Sequence, residues 1–392
     1  MKHSLLSSEE KLQLIQDYQP GAFFLASPKR TILAEGIFQH IETNQLNELS
    51  TRVAHVFDAA KQAGIQAPIV AGAVPFDPAQ PVRLNVPIHV QFSDPLEFHQ
   101  GDESEVTSPS YEVSPVPSPE VYMNGVNEGL AKIEKGELSK IVISRSLHLK
   151  SNQDIHTKAI LERLARHNTT GYTFAANVAD PASSQKRTLL GASPELLLSK
   201  TGSSVISNPL AGSRPRSSDP VEDQRRHDEL LTSAKDLHEH AVVVEAVTKA
   251  LAPYCRTLDV PASPSVIQTE TMWHLSTVVK GELADSSVSS IDLALSLHPT
   301  PAVCGTPTAD AREAIQAIEP FDRGFFTGMI GWADANGDGD WIVTIRCAEA
   351  EGQSLRLFAG AGVVKGSKAE EELAETSAKF NTMLRAMGIH QL

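Results

Sequence analysis

Cysteine is scarce in this chain. Cys255, Cys304 and Cys347 are odd in number, widely spaced and never arranged as CxxC. A disulfide frame and a zinc knuckle are therefore excluded, and the three read as reduced, mostly buried thiols. Long apolar runs are missing too. None approaches the roughly 20 residues of a membrane helix, and the N-terminus, Met-Lys-His-Ser-Leu-Leu-Ser-Ser-Glu-Glu, has no apolar leader core. The expectation is a cytoplasmic protein without membrane contact. Basic residues are outnumbered: 34 Lys and Arg face 48 Asp and Glu, for a net charge of −14. Nucleic acid selects basic patches, so it is excluded as a partner. An anionic small molecule would need local cations or a metal against this background.

What is present is an interleaving of helix and strand signals, with no internal repeat. Gln45–Ala63 reads as a helix, and Ala67–Val74 and Ile88–Phe92 as strands. Residues 94–118 are acidic and rich in Ser and Pro, and read as a surface loop or mobile connection. Ser118-Pro119 then supplies an N-cap and a proline at the first helical position. Lys140–Leu149 reads as a strand, Thr157–Arg166 as a helix, and Tyr172–Asn177 and Thr188–Leu190 as strands. One long helix is predicted from about Val221 to Leu251, with Leu230, Ala234, Leu237, Ala241 and Val244 as its apolar stripe. Neighbouring strands look hairpin-joined, so mixed sheets are expected rather than a doubly wound parallel one.

Three motifs are discounted. Asp334-Ala-Asn-Gly-Asp-Gly-Asp340 opens like an EF-hand loop, but Ile345 stands where a bidentate Glu is required, and a hairpin turn fits better. His238-Glu239-His240 is not HExxH, because position 242 is Val. Gly360-Ala-Gly-Val-Val-Lys-Gly366 misses the dinucleotide fingerprint by one residue.

The strongest signal lies near the C-terminus. An apolar strand at Leu355–Phe358 leads into a glycine turn and then a helix carrying Glu372, Glu375 and Lys379. Residues three and four apart share a helix face, so these form one ridge of two acids and a cation. Asp236 and Glu239 repeat the i, i+3 spacing on another helix. Two such ridges can enclose one Mg²⁺, which takes oxygen ligands and leaves positions for water or substrate. Without further context, two solvated acidic helix faces are the commoner explanation.

The ordered motifs supply that context. Lys140-Ile-Val-Ile-Ser-Arg, Gly191-Ala-Ser-Pro-Glu195, Pro209-Leu-Ala-Gly-Ser213, Lys235-Asp-Leu-His-Glu239-His, Trp273-His274-Leu, Leu297-His-Pro-Thr-Pro-Ala302, Glu319-Pro-Phe-Asp-Arg, Thr344-Ile-Arg346-Cys-Ala, Phe358-Ala-Gly-Ala-Gly362 and Glu375-Thr occur in sequence. Together, over residues 118–392, they resemble the chorismate-utilising enzymes, and within them the siderophore-type (enterobactin-type) isochorismate synthases. Residues 1–117 match more loosely. The resemblance implies one large α/β (α+β) domain over 1–392, with two packed antiparallel-rich sheets, helices outside, a mobile 94–118 loop and a catalytic core from 118.

The same resemblance implies Mg²⁺-dependent attack of water at C2 of chorismate with loss of the C4 hydroxyl. Lys140 is implied as the general base, which demands a neutral amine, and Glu195 as the acid that protonates the leaving hydroxyl. Glu239 and Glu375 are implied metal ligands, with Asp236 and Glu372 beside them. Arg346 and Lys379 would pair with a substrate carboxylate. Gly212, Ser213, Ala302 and Gly360 would make close backbone contacts, and His274 and Phe326 would line the pocket. Ammonia-using members carry Gln where Lys140 stands, and the aminodeoxychorismate branch carries a nucleophilic lysine where Ala211 stands. Water is therefore the implied nucleophile and isochorismate the implied product. Salicylate synthases share Lys140 and Glu195, menaquinone-type synthases share the chemistry, and a non-catalytic binding protein on the same fold is the alternative of another class. A monomer with transient contact to a downstream isochorismatase completes the expectation.

Overall fold

The computed structural model describes residues 14–41, 43, 45–98 and 109–389. Two large sheets dominate them. The first runs, in spatial order, Gly305–Thr306, Lys140–Ser151, Ser354–Val363, Cys347–Glu351, Arg187–Ser193, Tyr172–Asn177, Phe23–Ala26, Thr31–Glu35 and His89–Ser93, with Tyr111–Val116 also on the Lys140 strand. The second runs Cys255–Asp259, Val279–Leu283, Ser204–Asn208, Leu196–Thr201, Gly339–Val343, Met329–Asp334, Ile69–Val74, Arg83–Val86 and Gln39–Ile41. A small third sheet joins Leu210–Pro215, Met272–Ser276 and Ser265–Gln268. Every ladder between these strands is antiparallel, so the sheets are not mixed.

The layering follows from strands that are apolar on both faces. In Phe23–Ala26, alternate side chains point to opposite sides. Phe23 and Leu25 join a core with Ile69, Ala71, Ile330 and Ile342 of the second sheet. Phe24 and Ala26 join Leu161, Leu164, Phe380 and Met383 on the other side. The latter belong to the helices Thr157–His167 and Ala369–Ala386. Behind the second sheet, Val53 and Phe57 of Leu49–Gln62, Val247 and Leu251 of Ala234–Leu251, and Leu293 of Ser290–Leu297 close a third core. Two sheets thus pack face to face with helices outside. No described helix is long and apolar enough to cross a membrane.

Four local expectations are corrected. Tyr111–Val116 is a strand where a loop was expected, because Pro115 and its neighbours pair along the outer edge of the Lys140 strand; residues 99–108 of that loop lie outside the described residues. The predicted Val221–Leu251 helix is two helices, Pro220–Thr232 and Ala234–Leu251. Ser233 adopts an extended conformation and its hydroxyl accepts from the Asp236 N–H, capping the second helix. The buried face of the second helix also differs from the apolar stripe. Asp236, Glu239, His240, Val243, Val247 and Leu251 point inward, while Ala234 and Ala241 are exposed. Finally, Gly360 is not in a turn: the strand continues through it to Val363, paired residue by residue with Ile141–Lys150. Ser118 caps Pro119–Glu134 as expected, and Asp334–Asp340 is the hairpin turn, with Asp334 Oδ1 accepting from Asn336 N and Asp338 N.

Candidate active site

The two sheets exchange strands at one place. Arg187–Ser193 ends in the first sheet and Leu196–Thr201 begins in the second, so Pro194-Glu195 is a crossover. The Ser193 hydroxyl accepts from Glu195 N at 3.2 Å and fixes this bend. Gly339–Val343 lies in the second sheet and Cys347–Glu351 in the first, so Thr344–Arg346 is the return crossover. Arg346 has φ 51°, and Thr327, preceding Met329–Asp334, has φ 60°. Strain of this kind costs about 1–3 kcal/mol and persists where surrounding structure imposes it. Both residues line the same cleft.

That cleft holds about 630 Å³ of empty space, the open solvent at its mouth included. The Lys140 and Ser354–Val363 strands form one side, and Leu210–Pro215 with the Ala234–Leu251 helix another. Eleven of the fourteen residues singled out above line it: Glu195, Gly212, Ser213, Glu239, His274, Ala302, Phe326, Arg346, Gly360, Glu375 and Lys379. The other three stand just behind. Lys140 is fully buried, with Nζ 2.9 Å from Glu239 Oε1. Asp236 is held by both ends of the Arg214 guanidinium, and Glu372 by Lys235 at 2.7 Å. The exposed strand-end reading of Lys140 and the solvated reading of the acidic ridges are both overturned, since all five side chains are largely removed from solvent. Cys304 lies in the core, its thiol toward Thr308 O, and takes no part in the cleft wall.

Close packing explains the glycines. A Cβ on Gly362 would lie 2.1 Å from Glu239 Oε1 and 3.1 Å from Lys140 Cε. Gly212 combines φ +80° with a hypothetical Cβ 3.1 Å from Asp236 Cβ. Only glycine lets the Asp236/Glu239 ridge approach the two strands this closely.

Burial pushes the Glu195 carboxyl up to about 7; the Leu210 N–H and the charges of Lys140, Arg346 and Lys379 pull it back only in part. Glu195 is thus an acid that keeps its proton near neutrality. Burial, with Glu375 nearby, likewise raises Glu372 to about 7 against the pull of Lys235. Burial acts the same way on Glu375, but Lys379, Lys235 and Arg346 prevail and hold it below its ordinary value. Lys379 makes the i, i+4 pair with Glu375 at 2.6 Å and also donates to Gly360 O at 2.9 Å.

Burial, then Arg346 and Lys379, push His274 far down, so the imidazole is neutral. Its tautomer follows from its partners. Arg346 can only donate, so Nε2, 3.2 Å from Arg346 Nη2, accepts. Nδ1 therefore carries the hydrogen and donates to Ser213 Oγ at 2.9 Å. Burial lowers Arg346 itself to about 10, and its guanidinium forms no ion pair with any described carboxylate. A buried guanidinium with no ion pair, opening on a cleft, has donors to offer a carboxylate.

Among the described residues no three His, Cys, Asp or Glu side chains form a ready metal cage. Glu239 and Glu375 alone face the cleft as carboxylates besides Glu195. Mg²⁺ is commonly held by one or two carboxylates, with water and substrate oxygens completing six positions. The donor set fits that mode, with Asp236 and Glu372 behind it. Thr327, Pro194 and Ile345 also line the cleft and were given no role in it from the sequence, whereas Ala211, singled out there as a discriminating position, lines it as well. Lys235 lay inside a recognised motif without a role assigned to it.

The chain is similar to known proteins over most of its length. Residues 88–388 match the model of the chorismate binding enzyme family. Isochorismate synthase DhbC of Bacillus subtilis is 60% identical, with 100% of each chain covered. The vibriobactin-specific isochorismate synthase of Vibrio cholerae is 44% identical over 94% of this chain and 91% of its own. The crystal structure of DhbC from Bacillus anthracis superposes with a TM-score of 0.93 at 57% identity, covering 98% of this chain and 100% of that one. This chain belongs to the chorismate binding enzyme family.

Proposed function

We propose that this protein is an isochorismate synthase, converting chorismate to isochorismate, and that its product feeds catecholate siderophore synthesis through 2,3-dihydroxybenzoate. The observation that carries the reading is the company kept in one cleft. A buried acid that holds its proton to about pH 7, Glu195, lies within electrostatic reach of the buried lysine Lys140 and of Arg346, a guanidinium without an anion. Relatives named for this activity match 100% and 94% of the chain.

In this mechanism Lys140 takes a proton from the water that attacks C2, and Glu195 delivers one to the departing C4 hydroxyl. In the reverse direction they exchange roles. Arg346 binds one substrate carboxylate, oriented by its contact with His274. Lys379 adds positive charge there and anchors Gly360. Ser213, its hydroxyl proton freed by the His274 tautomer, offers a donor to the ligand. Gly212, Ala302 and Phe326 shape the wall. Glu239 and Glu375 would hold Mg²⁺, with Asp236 and Glu372 supporting them. When bound, the ion supplies the charge that neutralises the other substrate carboxylate and fixes the ring. Ala211 lines the cleft and has no amine with which to attack the substrate, which leaves water as nucleophile. A monomeric state, residence in the cytoplasm and transient contact with an isochorismatase belong to the same proposal.

Incubation with chorismate and Mg²⁺, followed by chromatographic separation, tests it. Isochorismate alone is expected. Salicylate with pyruvate, an aminated product in the presence of ammonia, or no turnover would each replace the reading with a different one. Iron-responsive expression, or gene neighbours for 2,3-dihydroxybenzoate synthesis, would check the pathway.

A further inference from the structure

The two carboxylate ridges are met from within by four basic side chains: Arg214 on Asp236, Lys140 on Glu239, Lys235 on Glu372 and Lys379 on Glu375. Three of these side chains are tied elsewhere or enclosed. Arg214 also donates to Ser213 O at 2.9 Å, Lys379 also donates to Gly360 O, and Lys140 is wholly buried. Lys235 is neither. Its ammonium bonds Glu372 Oε1 at 2.7 Å, and its side chain is 25% exposed against 1% for Glu372. Of the four pairs it is also the one that bridges the two helices carrying the ridges. Glu239 and Glu375 both lie within reach of its charge.

We infer that Lys235 is the cation that holds the two ridges together in the metal-free protein, and that it withdraws to solvent when a divalent ion takes over that task. This rests on the metal assignment above. A +2 ion approaching Glu239 and Glu375 meets the Lys235 ammonium as a like charge. The flexible stem of a lysine can carry the charge outward. Glu371, mostly exposed on the neighbouring helix, is paired with Lys368 at 2.6 Å and lies within electrostatic reach of Lys235, so the withdrawn ammonium can share that carboxylate. Lys235 therefore competes with the metal and sets the affinity of the site.

The test uses the full chain stripped with EDTA and titrated with Mn²⁺, with free aqueous Mn²⁺ read by electron paramagnetic resonance. Lys235→Gln keeps a donor for Glu372 but removes the charge; Lys235→Arg keeps the charge. Lys235→Gln should bind Mn²⁺ at least on the order of tenfold more tightly, the repulsion between a unit charge and a divalent ion about 6 Å apart even at the dielectric constant of water. Lys235→Arg should stay within about twofold of the parent, a control in which the competing charge is retained. Without metal, Lys235→Gln should melt below the parent, and saturating Mn²⁺ should raise its melting temperature by more. Equal or weaker Mn²⁺ binding by folded Lys235→Gln would overturn the inference while leaving the metal assignment intact. No Mn²⁺ binding by any of the three proteins would remove the metal assignment and this inference with it.

Discussion

Glu195→Gln should cost activity and gain stability, and the gain should depend on pH in a defined way. Burial raises the carboxyl from its ordinary 4.5 to about 7. Between those values the folded state binds more protons than the unfolded state. Stability of the parent protein therefore falls as pH rises through this window and levels off above about 7. At about 1.4 kcal/mol per pH unit, the full loss is about 3 kcal/mol. Glutamine does not titrate, and its side-chain oxygen can still accept from the Leu210 N–H that contacts Glu195. The variant should therefore match the parent near pH 4 and exceed it by up to about 3 kcal/mol at pH 8. With an unfolding entropy near 2.1 cal/mol/K per residue, this corresponds to roughly 4 °C in Tm. Urea or thermal unfolding of both proteins at pH 5, 6, 7 and 8 measures it. Over the same range the variant's rate should be lower on the order of 10²-fold. A stability difference that does not change with pH, or a variant less stable than the parent at pH 8, would refute the argument that desolvation dominates this carboxyl.

Lys140→Ala should lower kcat in both directions on the order of 10²-fold or more, with circular dichroism unchanged and metal binding retained; a folded variant that keeps most of its isochorismate formation would rule out the general-base role. Chelation should abolish turnover and Mg²⁺ restore it, while Glu375→Gln should bind Mg²⁺ more weakly by calorimetry; near-normal binding and turnover would count against direct ligation. Gly362→Ala places a methyl 2.1 Å from Glu239 Oε1. The far end of a side chain gives way before the backbone does, so the fold should survive, and the displaced carboxylate should cost on the order of 10²-fold in kcat. Wild-type metal affinity in that variant would show that Glu239 stands elsewhere. Forward kcat of the parent should fall as pH rises above about 7, because Glu195 must carry its proton to protonate the leaving hydroxyl; a rate still rising at pH 9 would assign the acid to another group.

Much of this protein was determined by its sequence alone. The i, i+4 spacing of Glu375 and Lys379 dictates their pair, because helix geometry is local. Ser118-Pro119 dictates a helix start for the same reason. Apolar strands such as Phe23–Ala26 require cover on both faces, which implies packed layers. Tertiary structure decided the rest. Of the apolar stripe of the Val221–Leu251 segment Leu230 is buried, but Ala234 and Ala241 are exposed, because the surrounding strands offered basic side chains to Asp236 and Glu239 on another face. Gly360 looked like a turn because glycine is free to turn; it stayed in a strand because ten residues paired it to the Lys140 strand. The meeting of Glu195 with Arg346 depends on two crossovers between sheets that are far apart in sequence, and no local pattern encodes it. Lys235 and Glu372 are separated by 137 positions, and their contact exists only because two helices pack against the same strand, Leu210–Pro215. Local spacing selects partners within one element, whereas charge compensation in a buried site is set by whichever elements the fold brings together.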